Sequence, residues 1–332
     1  MHYLLLDEVQ MMDDFSDVLN GFLHIDNIDV YVTGSNSKFL SKDIVTEFRG
    51  RGDEIRIYPL NFKEFYAVKK SDFSDALKEY YTFGGMPYLL RLSNYEDKVN
   101  YLKRLLTETY IIDIVERNHI KSDAALETLI SIIASSIGSL TNPQRIANTF
   151  KSKENLTISA PTIKNYLDYL KEAFLISEIK RYDVKGRKYI GTPSKYYLED
   201  IGLRNALLNF RQQEETHIME NIIYNELKIR GYSVDVGVVE IREKNGAGEY
   251  RQKQIEIDFI AHKGSIKYYI QSAYRLPTEE KKAQEERPLI SVTDSFKKII
   301  IVNDNIMLKR DEKGLVTMSI KDFLLNDNSL DL

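Results

Sequence analysis

Asp7 and Glu8 stand at the carboxyl end of the apolar run Tyr3-Leu4-Leu5-Leu6. A carboxylate leaving a buried parallel strand can hold the Mg²⁺ of a nucleotide, and an adjacent glutamate can orient or deprotonate an attacking water. Any strand ending in a turn can also finish in acids, so the pair alone leaves both readings open. A second apolar run, Val30-Tyr31-Val32, ends in Thr33-Gly34-Ser35-Asn36. Ser35 and Asn36 would then lie beside the acid pair, where a polar side chain can touch a terminal phosphate or the water. Arg49 and Arg51, in Phe48-Arg49-Gly50-Arg51, could reach a phosphate held by a neighbouring subunit, or simply dress a helix C-terminus with cations.

The elements that must position these residues alternate. Strand-like runs at Tyr3–Leu6, Val30–Val32 and Ile55–Tyr58 are separated by helical ones at Phe15–Leu23 and Phe39–Phe48, which predicts part of a parallel α/β sheet. From Phe62 to Ile137 apolar residues recur at three and four spacing, as in a helical lid or connector.

Residues 141–196 differ in charge. They hold 8 Lys and 3 Arg against 5 acids, so 11 − 5 = +6, and the other 276 residues carry −10 of the total −4. Asn142-Pro143 opens a helix through Phe150, and Ser159 is placed as the N-cap of another. Ile163, Tyr166, Leu167, Leu170 and Phe174 form its apolar side, with Thr162, Lys164, Asn165 and Asp168 opposite. Strand-like runs at Leu175–Tyr182 and Lys188–Leu198 then join across Lys185-Gly186-Arg187. Helix, turn, helix, hairpin is the order of a winged helix. Thr162, Lys164 and Asn165, with Lys185, Arg187 and Lys188 in the wing, would engage DNA phosphates and groove edges. The alternative is a protein-docking module whose basic side is merely solvated.

The last unit reads as helix Glu215–Arg230, strands Val234–Arg242, Gln254–Ala261 and Lys267–Tyr274, a charged helix near Thr278–Arg287, and an apolar strand Lys298–Val302. The chain has 332 residues and no Cys. That length allows two or three compact units, and the missing thiols exclude a disulfide framework, a thiolate zinc site and a cysteine nucleophile. The histidines, 2, 24, 119, 217 and 262, show no ligand spacing. There is no secretory start, and the most apolar stretch, Leu126–Leu140, is broken by Ser and Thr and too short to span a bilayer. A cytoplasmic protein without membrane contact is the expectation.

Together, Leu4-Leu5-Leu6-Asp7-Glu8-Val9-Gln10, Thr33-Gly34-Ser35-Asn36-Ser37, Phe48-Arg49-Gly50-Arg51 and Tyr58-Pro59-Leu60-Asn61-Phe62-Lys63-Glu64-Phe65 resemble the Walker B, sensor 1, arginine and post-core segments of a prokaryotic AAA-type P-loop ATPase family. Gly84-Gly85-Met86-Pro87 and the run Lys195–Arg204 look like further landmarks of it. The resemblance implies an α/β chain with a partial ATPase core at 1–66, a helical lid or connector at 67–126, a winged helix at 127–205 and a restriction-endonuclease-like α/β domain at 206–332. It implies ATP and Mg²⁺ as cofactors, with Asp7 on the metal, Glu8 on the water, Ser35 near the nucleotide, Asn36 as sensor and Arg49 or Arg51 acting across a subunit boundary.

That family carries a Gly-rich phosphate loop ahead of Walker B, and none of the 16 Gly here precedes a Lys. Without the loop's backbone N–H groups and lysine, ATP loses most of its electrostatic hold. The chain is therefore expected to be a truncated or split product, incompetent for hydrolysis alone and dependent on a homo-oligomer or a complementing N-terminal fragment. In the nuclease-like unit the resemblance places Glu220, Asp258 and Gln271 where active members hold Mg²⁺, but Gln271 replaces a carboxylate and Ala273 the lysine. Nuclease activity is accordingly disfavoured, with Lys263 or Lys267 the remaining candidates for the lysine. A non-enzymatic DNA- or protein-binding module is the competing expectation.

Overall fold

The computed structural model describes residues 1–9, 12–34, 52–120, 123–154, 157–211, 214–244 and 250–332. Ser35, Asn36, Arg49 and Arg51 lie outside them. At the start, β1 (His2–Leu6) and β2 (Ile28–Val32) pair in parallel, Leu6 opposite Val32, and α1 (Phe15–Phe22) connects them. Alternation gives the pair two unlike sides. Leu6, Val30 and Val32 pack with Val9, Phe15 and Leu19, whereas Tyr3, Leu5 and Tyr31 are exposed. The run Ile55–Tyr58, expected as a third strand, joins neither sheet. Arg56 holds it elsewhere, 2.9 Å from Glu199 Oε1 and over the rings of Tyr58 and Phe174.

Helices α2 (Phe62–Lys69) and α3 (Phe73–Phe83) follow. The α2 start is a reciprocal cap: Asn61 Oδ1 accepts from Glu64 N, and Glu64 Oε2 from Asn61 N. Although read from sequence as the beginning of a lid, both helices bury Phe62, Phe65, Leu77 and Tyr80 in one core with the C-terminal sheet. The intervening chain runs through α4 (Tyr95–Arg104), α5 (Ile112–Arg117), α6 (Asp123–Ser135), α7 (Pro143–Thr149) and α8 (Ala160–Glu172). The α6–α8 helices share a second core with the hairpin β3 (Ile176–Asp183) and β4 (Lys188–Leu198) and with α9 (Ile201–Leu207). The expected helix–helix–hairpin order is present, with Ser159 Oγ capping Thr162 N at 3.2 Å.

After α10 (Glu215–Ile229) come β5 (Ser233–Lys244), β6 (Tyr250–Lys263), β7 (Ile266–Ala273), α11 (Glu279–Ile290), β8 (Lys297–Val302), β9 (Lys309–Arg310), β10 (Leu315–Ser319) and α12 (Ile320–Leu325). The strands from β3 onward form one mixed sheet in the order β4-β3-β5-β6-β7-β8-β10-β9. Because β3 pairs in parallel with β5 at Arg181↔Val236, the hairpin is the edge of the C-terminal sheet. Helix α10 covers one side through Ile222, Ile223 and Leu227, and α11 the other through Leu289.

A buried joint ties the two cores. Asp200 caps α9, accepting from Leu203 N at 2.9 Å, and its other oxygen accepts from Gly85 N at 2.7 Å. Gly85 and Gly202 are glycines because backbone fills the space a Cβ needs: one at Gly85 would lie 2.0 Å from Leu60 O, and one at Gly202 1.9 Å from Phe83 O. Asn205 then donates to the carbonyls of Tyr81 and Thr82 at 2.8 and 2.9 Å, and Arg204 Nε to Ala134 O at 3.0 Å. The paired sequence landmarks are thus the two halves of one hydrogen-bonded seam.

Burial pushes the Asp200 carboxyl up to about 6, against the downward pull of the Gly85, Leu203 and Gly202 N–H groups. A folded value above the ordinary 3.8 means the folded chain takes up this proton first, so the group adds stability as pH falls through about 6 and adds no more below about 4. Thermal melts should show wild type gaining on Asp200→Asn by about 1.3 kcal/mol between pH 7 and 5, approaching about 1.4 kcal/mol per pH unit between the two values. A gap independent of pH would contradict this.

Candidate functional site

The parallel register brings the ends of β1 and β2 together. Thr33 N donates to Leu6 O at 2.9 Å and Val9 N to Thr33 O at 3.2 Å. Thr33 Oγ1 donates to Asp7 Oδ1 and accepts from Glu8 N, the latter at 3.2 Å. Glu8 turns with φ of 49°, so the two acids diverge from a strand end instead of alternating along it. Asp7 is exposed and Glu8 half-buried. The carboxyl ends of parallel strands are where open α/β sheets bind ligands, and Asp7 with Thr33 presents oxygen ligands of the kind Mg²⁺ takes. Thr33 was not singled out in the sequence, although its place at the strand end beside the acids is the signal that could have done so.

A second constellation buries Lys195, Glu220 and Asp258 and leaves Glu256 half-buried. Lys195, on β4, carries its ammonium 2.9 Å from Glu220 Oε1, 2.6 Å from Glu256 Oε1 and 3.8 Å from Asp258 Oδ1. Glu220 projects from α10, and Glu256 and Asp258 from β6. Tyr197 OH also donates to Glu220 Oε1, and Ser272 N donates to Asp258 Oδ2 at 2.8 Å. His217 Nδ1, one turn before Glu220, lies 3.9 Å from its Oε2, an electrostatic neighbour beyond hydrogen-bond range. Gly138, at φ +72°, closes the loop after α6 against the Glu220 carboxylate, where a Cβ would lie 3.1 Å from Oε1.

Charge decides the behaviour of this cluster. Burial pushes the Glu220 carboxyl up, but the Lys195 ammonium and its hydrogen-bond donors pull it down to about 2. Asp258 goes the other way, raised by burial and by the Glu220 charge. Burial works against the Lys195 ammonium, yet Glu220, Asp258 and Glu256 hold it protonated, well above the ordinary lysine range.

Of the residues the sequence assigned to a nuclease-like set, Glu220 and Asp258 are brought together. Gln271 faces elsewhere: its Nε2 donates to Glu285 Oε2 on α11 at 3.0 Å, and its Oε1 meets only the Asp258 backbone N at 3.4 Å. Along β7, Ile270 belongs to the α10 side and Tyr269 and Ala273 to the α11 side, so alternation turns Ser272 toward the cluster. Neither Lys263 nor Lys267 enters it: Lys263 Nζ donates to Arg230 O at 2.8 Å, and Lys267 Nζ meets Asp294 Oδ2 at 3.1 Å. Among the described residues no group of three or more His, Asp or Glu is arranged to hold a metal ion.

The basic residues divide. Lys164, Asn165, Arg187 and Lys188 are exposed. Thr162 Oγ1 is hydrogen-bonded to Ser159 Oγ at 2.8 Å, and exposed Lys185 sends its ammonium to Glu240 O at 2.7 Å. Lys171 is paired with Asp168 and Glu178 at 2.7 and 2.8 Å. The surplus of +6 read from the sequence of this segment is therefore partly neutralised by acids from outside it, at Lys195 above all.

Residues 1–66 match a family model described as an AAA domain, and residues 74–214 match a domain of unknown function (DUF8612). With its mixed α/β architecture, the chain is an α/β protein opening with an AAA-type domain. An uncharacterized protein of Haemophilus influenzae is 34% identical over 328 residues, spanning 97% of this chain and 77% of that relative. The chain belongs to the same family as that protein. Uncharacterized protein MJ1544 of Methanocaldococcus jannaschii is 29% identical over 332 residues, 96% of this chain and 71% of that one. The crystal structure of protein VC1899 from Vibrio cholerae aligns with 98% of this chain and 89% of its own at 14% identity, with a TM-score of 0.25, too slight a likeness to bear on the fold. No described helix is long and apolar enough to cross a membrane.

Proposed function

We propose that residues 1–66 supply the metal-holding and water-activating half of an ATP site. The observation that carries this reading is the convergence of Asp7, Glu8 and Thr33 at the shared carboxyl end of two parallel strands. Asp7 would hold Mg²⁺, which would supply charge neutralisation at the phosphate. Glu8 would orient the attacking water, Ser35 would line the nucleotide, Asn36 would sense the terminal phosphate, and Arg49 or Arg51 would act on a neighbouring copy's phosphate. No Gly in the sequence is followed by Lys, so on this reading the phosphate grip would come from a complementing segment. That segment would also cover the exposed side of Tyr3, Leu5 and Tyr31, since parallel sheets are covered on both faces.

The test is MgATP binding by the chain alone and by a chimera carrying a strand–phosphate loop–helix unit ahead of Met1. Binding is expected in the chimera only, weakened at least about tenfold by Asp7→Asn through loss of a metal ligand. Equal MgATP affinity of the chimera with and without the Asp7→Asn change would contradict this reading, as would tight binding by the chain alone.

A second reading is favoured by the exposure of Lys164, Asn165, Arg187 and Lys188 on α8 and the hairpin: DNA binding through a winged helix. Mobility shifts should weaken steeply as salt rises, because phosphate neutralisation releases counterions. Lys164→Ala and Arg187→Ala should each flatten that slope. Absence of a shift at low salt would end the DNA reading and leave the basic side as solvated surface.

A further inference from the structure

A groove of about 740 Å³ opens between α6, α7 and the loop that joins them, with Leu208 after α9 also in its wall. That volume is in the range of small-molecule sites, and none of Lys164, Asn165, Arg187 or Lys188 lines the groove. Ile132, Ile146 and Leu208 make part of the lining apolar, and much of the rest is hydroxyl. The hydroxyls fall into two groups. Those of Ser135 and Thr149 donate to carbonyls of their own helices, Ile132 O and Arg145 O, at 3.0 and 3.1 Å, as helical serines and threonines commonly do. Those of Thr128 and Ser131 on α6, and of Ser139 and Thr141 in the loop, have no hydrogen-bond partner among the described residues. The loop itself is fixed to β4: Gly138 N donates to Tyr196 O at 3.2 Å, and Thr141 and Ser194 exchange both backbone bonds at 2.9 Å. Its two free hydroxyls are thus preset by the edge of the sheet.

Two opposite charges line the same groove, and neither is paired with a described residue. Arg145 uses one N–H on Leu140 O at 3.0 Å. This brings its guanidinium to the loop end, with Ser139 and Thr141 on either side of Leu140, and leaves further N–H donors for an oxyanion. Glu127 precedes Ser135 by eight residues on α6, about 12 Å along the axis at 1.5 Å per residue. The groove is therefore positive at one end, negative at the other and hydroxylated between. A guanidinium with two hydroxyl donors beside it suits the several oxygens of a phosphate better than the two of a carboxylate. A carboxylate with free hydroxyls suits the hydroxyl groups of a sugar, which donate to the one and exchange bonds with the others. We infer that this groove binds a phosphate monoester of a sugar, its phosphate at Arg145 and its sugar toward Glu127. Sugar phosphates and nucleoside monophosphates share that chemistry. The inference is independent of the ATP and DNA readings, since it uses none of their residues.

The experiment is calorimetric titration of the full chain, in EDTA, with AMP, glucose 6-phosphate, adenosine, glucose and sulfate, repeated on Arg145→Gln, Ser139→Ala and Asp7→Asn. At least one of the two esters is expected to bind with a Kd of about 1 mM or tighter, and the tighter one names the source. It should bind at least about tenfold more tightly than its unphosphorylated counterpart and than sulfate. Arg145→Gln should weaken it at least about tenfold and Ser139→Ala about threefold, because a charged hydrogen bond contributes more than a neutral one. Asp7→Asn should leave it unchanged. Arg145 and Ser139 are exposed, so both variants are expected to melt as wild type does. The proposal is overturned if neither ester binds, or if adenosine, glucose or sulfate binds as tightly as the ester. It is equally overturned if binding is undiminished in Arg145→Gln or in Ser139→Ala, or if it is lost in Asp7→Asn.

Discussion

Lys195→Ala is expected to lower the free energy of unfolding by about 3–5 kcal/mol in metal-free buffer, the usual cost of stripping one partner from a buried charge pair. The reason is that Glu220 loses the ammonium that offsets its burial and keeps only Tyr197 and a distant His217 beside it, while Asp258, raised by burial, loses the same counter-charge. Neutralising the acid as well should recover much of the loss: Lys195→Met with Glu220→Gln replaces a desolvated pair by groups that need no counter-charge. Denaturant melts of the single and double variants measure both numbers. A single-variant loss below about 1 kcal/mol, the range of an exposed pair, would show that Lys195 and Glu220 behave as a surface pair.

Gly202→Ala is expected to be nearly as damaging, at about 3 kcal/mol or more, because overpacking here meets backbone and not a side chain that can swing away. The added methyl would stand 1.9 Å from Phe83 O, and the same change at Gly85 2.0 Å from Leu60 O. Either shift would pull apart the seam in which Asp200 binds Gly85 N and Leu203 N. By contrast Gly191→Ala, where a Cβ meets nothing within 4 Å, should change stability by no more than about 0.5 kcal/mol, as at most surface positions. Thermal melts of the three variants check the contrast, and equal Tm values would contradict it.

Much of the architecture could be read from residue patterns. The helix Glu215–Ile229 and the strands around Val236, Phe259 and Ile270 follow directly from apolar periodicity, as does the capped helix after Ser159. What periodicity does not carry is the partner of a charged side chain. Lys195 was counted among the basic residues of its neighbourhood, yet its charge is absorbed by Glu220, Glu256 and Asp258 far along the chain. The available clue was its position two residues before Tyr197 in an apolar strand, which puts both on one side.

Gln271 fails for the opposite reason. A correspondence made residue by residue along β7 is one position from the side chain that faces α10, and a one-residue slip exchanges the faces of a strand. Ser272 occupies the inward position instead, and Gln271 reaches Glu285. The hairpin's union with the C-terminal sheet was likewise out of reach, because β3 and β5 are parallel partners separated by β4 and two helices, and nonlocal pairing leaves no mark in local composition.

On the proposed reading Asp7 and Glu8 face a nucleotide, although no Gly in the sequence is followed by the phosphate-gripping Lys. The direct measurement is ATP turnover by the purified chain, with and without the phosphate-loop unit placed ahead of Met1. Turnover is expected only when that unit is present, and Glu8→Gln should abolish it. Turnover by the chain alone, lost in Glu8→Gln, would contradict the account.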